Sequence, residues 1–110
     1  MTNDDSVNEE FGQLYARHVA GVAAGDNKAV LADMVQANLP TVFYGVDVPR
    51  GAIDSYEIVG IRADGDRMVG ETIYRTASGV IGLRSIWERH GDSWLAAELA
   101  NFSVAEGITS

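Results

Sequence analysis

Two side chains stand out for what they could do together. His18 titrates near neutrality and can take up or give back a proton, and Arg84 is a fixed cation able to hold a carboxylate or a developing enolate. Tyr15 stands one helical turn before His18, so both can point into the same space. With Ile86, Leu99 and Asn101 they are the expected lining, a few polar groups around an apolar pocket. That combination suits a small, largely apolar carbonyl or carboxylate ligand, and cofactor-independent chemistry of the isomerase, cyclase or lyase type. Each residue also has a purely structural reading. His18 fits a core or dimer-face histidine. Arg84, flanked by Leu83 and followed by Ile86, needs a carboxylate partner if buried, and Glu71 or Glu98 could supply it. Asn101 could satisfy backbone groups near a sheet end.

Other chemistries have no residues to carry them. The chain contains no G-x-x-x-x-G-K-[ST], no G-x-G-x-x-G and no G-x-S-x-G, which leaves no phosphate-cradling loop and no nucleophile elbow. His18 and His90 lack any paired spacing, so no metal is expected and no cofactor is implied. Asp64 and Asp66 flank Gly65 as in a calcium loop, but the downstream glutamate is misplaced and a hairpin turn explains them. There are no cysteines, hence no disulfide or thiolate. A formal net charge of −8, from 8 basic and 16 acidic residues, repels nucleic acid and anionic membranes. Met1 to Asp5 are polar with no apolar run behind them, so the expectation is a cytoplasmic chain without a signal peptide or membrane span.

The elements that must position these residues can be read in order. The 110 residues, 46% hydrophobic and 22% charged, suit one domain with a modest core. Val7, Phe11, Leu14, Tyr15, His18, Val19 and Val22 form one helical stripe, predicting a helix of about eighteen residues, roughly 27 Å long. Ser6 and Glu9 read as its capping box and Gly25 as its stop. Asp26 can cap a second helix carrying Val30, Leu31, Met34 and Val35, bounded by Pro40. From Thr41 the pattern turns to strands. Turn chemistry at Ala63 to Asp66, Ala77 to Gly79 and His90 to Ser93 separates four of them, Ile53 to Arg62, Arg67 to Thr76, Val80 to Arg89 and Trp94 to Phe102. Val42 to Val46 reads as a further short strand, Pro49 to Gly51 as a loop, and residues 1–5 and 104–110 as flexible tails. Gly60, Gly70 and Gly82 within strands mark bulges or close approach of a helix. The predicted fold is α+β, with the long N-terminal helix and a second helix packed on a curved antiparallel meander.

The run from Tyr15 to Leu31, with Ala24-Gly25-Asp26 at its turn, resembles the opening of the nuclear transport factor 2-like superfamily, which includes ketosteroid isomerases and SnoaL-like polyketide cyclases. Arg84 to Trp94 is similar to that superfamily's penultimate strand, turn and tryptophan-led final strand. The resemblance implies a cystatin-like cone, helices in front of a curved sheet with a pocket between. It also implies where function diverges. The positions that carry the isomerases' helix-1 tyrosine, general-base aspartate and second acid are here His18, Val42 and Arg84, so steroid isomerisation by that mechanism is not implied. The chain is also short between Val42 and Ile53, which would leave the rim of the cone incomplete and its mouth open to closure by a partner subunit.

If Arg84 faces a cone interior, period-two alternation puts Val80, Gly82 and Ile86 with it, and Leu95, Ala97, Leu99 and Asn101 beside them on the last strand. Ile81, Leu83 and Trp87 then point outward as an apolar patch, predicting a homodimer through the outer sheet face. The alternative function is a non-catalytic homodimeric binding or interaction module with a filled cavity and a neutralised Arg84.

Overall fold

The computed structural model describes residues 3–49 and 52–104, with side chains from residue 8 onward. Helix α1 spans Asn3–Ala24. It starts before the expected capping box, so Ser6 lies inside the helix and its side chain falls outside the described residues. Residues 3–5 are helical rather than tail, and 105–110 are outside the description. The stop at Gly25 is as predicted: its φ of 76° is one that side chains with a Cβ rarely adopt.

Asp26 caps α2 (Asn27–Ala32) by accepting from the Ala29 amide. This helix is shorter than predicted. It ends before Met34, which instead forms a parallel bridge with Ala96. Pro40 does not bound α2; it sits in the first turn of a short helix, α3 (Leu39–Val42), where its missing N–H costs nothing. The strand expected over Val42 to Val46 is the end of α3 and a turn through Gly45.

The sheet follows the prediction closely: β1 (Ile53–Asp64), β2 (Arg67–Thr76), β3 (Gly79–His90) and β4 (Ser93–Asn101), all antiparallel and in sequence order. Its inner face lies under α1. Phe11, Tyr15 and Val19 of the helix are buried against it, with Trp87 edge-on to both Phe11 and Tyr15 at ring distances of 5.5 and 6.1 Å. Gly70 shows how close the approach is, since a Cβ there would come within 2.5 Å of the Tyr15 ring.

That packing sets the register, and it is the reverse of the one expected for β3. Ile81, Leu83, Ser85 and Trp87 stand on the inner face, opposite Tyr74, Thr72, Gly70 and Met68 of β2. Trp87 is fully buried, so the outward apolar patch of Ile81, Leu83 and Trp87 does not exist. Arg84 and Ile86 are on the outer face, opposite Glu71 and Val69. The physical reason is volume: the largest side chain of β3 fills the space beneath a long helix, and the charge goes to the side that water reaches. A register shift between Ile86 and Trp87 also breaks the expected alternation in β4, so Ala96 rather than Ala97 joins Leu99 on the inner face.

Candidate functional site

Between α1, α2 and the inner sheet face is a cavity of about 590 Å³. Three segments build its walls. From α1 come Tyr15, His18 and Val22; Val30, Leu31 and Met34 come from α2 and the turn after it. Phe43, Val48 and Pro49 close one side, and the floor is Tyr74, Leu83, Ser85 and Leu99 of the sheet. This volume is in the range of small-molecule sites. No lysine or arginine lines it among the described residues.

His18 is the titratable nitrogen base of this lining. Its Nδ1 lies 3.0 Å from Asp33 Oδ2, and its ring is wedged edge-on to Trp87 at 4.9 Å and stacked over Tyr15 at 6.5 Å. A carboxylate can only accept, so Nδ1 carries the proton and Nε2 keeps its lone pair. Nothing among the described residues hydrogen-bonds Nε2. Burial pulls the imidazole below its usual titration range, and the hydrogen bond and charge of Asp33 pull the other way without cancelling it. The result is a neutral, oriented base at the wall of an apolar cavity. Asp33 is held in turn: its carbonyl accepts from the Ala96 amide at 2.9 Å.

The hydroxyl-bearing residues of the lining are Tyr15, Tyr74 and Ser85, and the fully buried Thr72 backs Tyr15. Tyr15 Oη is 2.7 Å from Thr72 Oγ1, and the Trp87 indole N–H donates to Ser85 Oγ at 2.8 Å. Burial raises the Tyr15 phenol above its ordinary value, although hydrogen bonds to Thr72 and Ser85 oppose it; burial raises Tyr74 further. Both phenols therefore stay protonated throughout the neutral range.

Of the residues singled out in the sequence, Tyr15, His18 and Leu99 meet at the cavity. Arg84 and Ile86 do not, because they lie on the opposite face of the sheet. Arg84 Nε donates to Glu71 Oε2 at 2.6 Å, and Arg62 holds the other carboxylate oxygen at 3.2 Å. The two guanidiniums hold the Glu71 carboxyl below its ordinary range, outweighing a larger single effect of burial in the other direction. Asn101 has the structural role. Its amide exchanges two hydrogen bonds with the Asp47 backbone, at 2.7 and 2.9 Å, and donates a third to the Gly82 carbonyl. It thereby straps the 46–49 segment, with Val48 and Pro49, against the sheet. The sequence reading missed Asp33, Thr72, Tyr74 as a wall residue, and Ser85. Asp33 had one signal, the tight turn at Gly25 that folds α2 back toward His18.

No family model matches the chain, and no curated protein and no solved structure matches it. Fold and site together define an α+β domain, helices over an open four-stranded antiparallel sheet, with a histidine–aspartate pair opening onto a largely apolar cavity.

Proposed function

We propose that this chain belongs to the nuclear transport factor 2-like superfamily, with a cone-shaped cavity that binds a small, largely apolar carbonyl compound and moves a proton on it without a cofactor, as an isomerase, cyclase or lyase. The observation that carries the reading is the His18–Asp33 pair at the wall of the cavity. Asp33 fixes the ring, and Nε2 takes a proton from the carbon next to the carbonyl. The enolate oxygen that develops is met by the buried hydroxyls of the floor, and the imidazolium, stabilised by Asp33, returns its proton to a carbon of the same molecule. With Arg84 on the other face and no lysine or arginine in the lining among the described residues, an uncharged carbonyl ligand is favoured over a carboxylate, which would find no cation.

2-Tetralone is a suitable probe, being apolar, compact and readily enolised. The protein is expected to bind it, read by saturation-transfer NMR, and to accelerate its α-proton exchange in D₂O. His18→Gln should keep binding and lower the exchange rate by about 100-fold, in line with loss of a general base. Absence of binding, or exchange indifferent to His18→Gln, would overturn the proposal. Binding without any accelerated exchange would leave the non-catalytic binding module in its place.

A further inference from the structure

The two edges of the sheet are treated differently. Beside β4 runs the 33–35 segment: the Ala96 amide donates to the Asp33 carbonyl, and the Val35 amide donates to the Ala96 carbonyl at 2.8 Å. Asn38 adds a side-chain hydrogen bond to the Ala97 carbonyl. Among the described residues no strand or segment pairs with the free edge of β1; α1 touches its inner face at Ile61, and its residues other than Ile53 and Ile61 are exposed. At its centre Tyr56, Ile58 and Val59 are 41%, 36% and 51% exposed. A long edge strand with an apolar centre and free N–H and C=O groups is a template for another strand.

We infer that β1 docks on β1 of a second copy of this chain, antiparallel and centred between Val59 and Gly60, at the bulge. A second copy is selected over other partners because the strand is complementary to its own reverse. In that register Ile58 of each copy faces Ile61 of the other, and Glu57 faces Arg62. The faces agree as well. Ile58 and Ile61 pair with Thr72 and Gly70 on the inner side of β2, whereas Glu57 and Arg62 pair with Ile73 and Val69 on the outer side. The one-residue shift between Ile58 and Gly60 is what lets both matches hold at once, since it changes the phase of the alternation at the midpoint. A bulge and edge charges ordinarily blunt a strand against pairing; here each meets its counterpart. Glu57 and Arg62 already lean on Arg75 at 3.8 Å and Glu71 at 3.2 Å, so the new pairs extend charge ladders that run across the outer face. Two four-stranded sheets then continue as one. A single strand pair buries less than a standard interface, so the dimer dissociates on dilution.

Sedimentation velocity from about 1 to about 200 μM, a span wide enough for a weak interface, is the test. The wild-type chain should shift from monomer to dimer across it. Val59→Lys, at an exposed position that the fold does not need, should stay monomeric with an unchanged thermal melt. Glu57→Arg and Arg62→Glu should each dimerise at least ten-fold more weakly alone, and an equimolar mixture of the two should recover the dimer. A wild-type monomer at every concentration would overturn the inference. So would a dimer indifferent to Val59→Lys, or a mixture no tighter than its components.

Discussion

His18 is buried where a charge is costly, yet an aspartate holds one of its nitrogens, and the balance leaves its titration below the ordinary value of 6.5. The sign of the stability effect follows. As pH falls past that value the unfolded chain takes up a proton that the folded chain still refuses. The contribution of His18 to stability is therefore complete above about 6.5 and declines as pH drops toward the folded-state value. Thermal melts between pH 8 and 5 should show this decline, His18→Leu should flatten it, and Asp33→Asn should steepen it by removing the group that favours the proton. If the His18→Leu profile keeps the wild-type slope, another group is responsible. Glu71 acts lower down. Its carboxyl is held below 4.5, so its contribution is complete above that value and is lost only as pH falls through the folded-state value, separating the two effects.

Among the elements, the contact of α1 with the sheet is the closest and the least tolerant. Gly70→Ala would push a methyl group into the Tyr15 ring, and overpacking of this kind costs about 1–3 kcal/mol. Urea unfolding should show that loss, and combining it with Tyr15→Leu should recover part of it. The strap over the cavity depends on Asn101 in a similar way. Asn101→Ala removes three hydrogen bonds, and the Asp47 amide should then exchange with solvent on the order of ten-fold faster or more, as expected for about 1.4 kcal/mol of lost protection. The C-terminal end of α1 and the existence and order of the four strands were legible in the sequence, because glycines at 25, 65, 79 and 91 punctuate clear changes of period; the start of α1, three residues before Ser6, was not. The facing of β3 was not. It is a central strand with apolar residues on both sides, Ile81, Leu83 and Trp87 on one and Ile86 on the other, so alternation alone assigns no inside. The volume of Trp87 and the acid directly across from Arg84 decide it, and both are tertiary facts. Tyr15 and His18 were legible because their helix has only one apolar stripe; Asp33 was not, lying past the end of a short helix with no periodicity of its own.

For the molecule as a whole, one side chain joins what would otherwise be separate layers. Trp87 is fully buried, meets Phe11, Tyr15 and His18 from beneath, and ties its indole N–H to Ser85. A domain of this size has only about 5–15 kcal/mol of stability, and part of its interior is cavity rather than packed core. Trp87→Ala should remove about 3–5 kcal/mol, enough to leave the chain largely unfolded at 37 °C if it sits at the low end of that range. Circular dichroism at 37 °C checks this, and a cooperative native-like melt would show that helix and sheet are held by other contacts. The backbone link from Asp33 to Ala96 has a consequence in time. The residue that orients His18 is itself fastened to β4, more than half the chain away in sequence, and contacts so remote close late because their loop entropy must be overcome first. A chain emerging from the ribosome can form α1 and α2 early, with His18 already in place on its helix, but its base has no fixed direction until β4 has been made and has docked. Under the proposed function, ligand capture during refolding should therefore keep pace with the slowest step, because the orientation of His18 waits on the docking of β4.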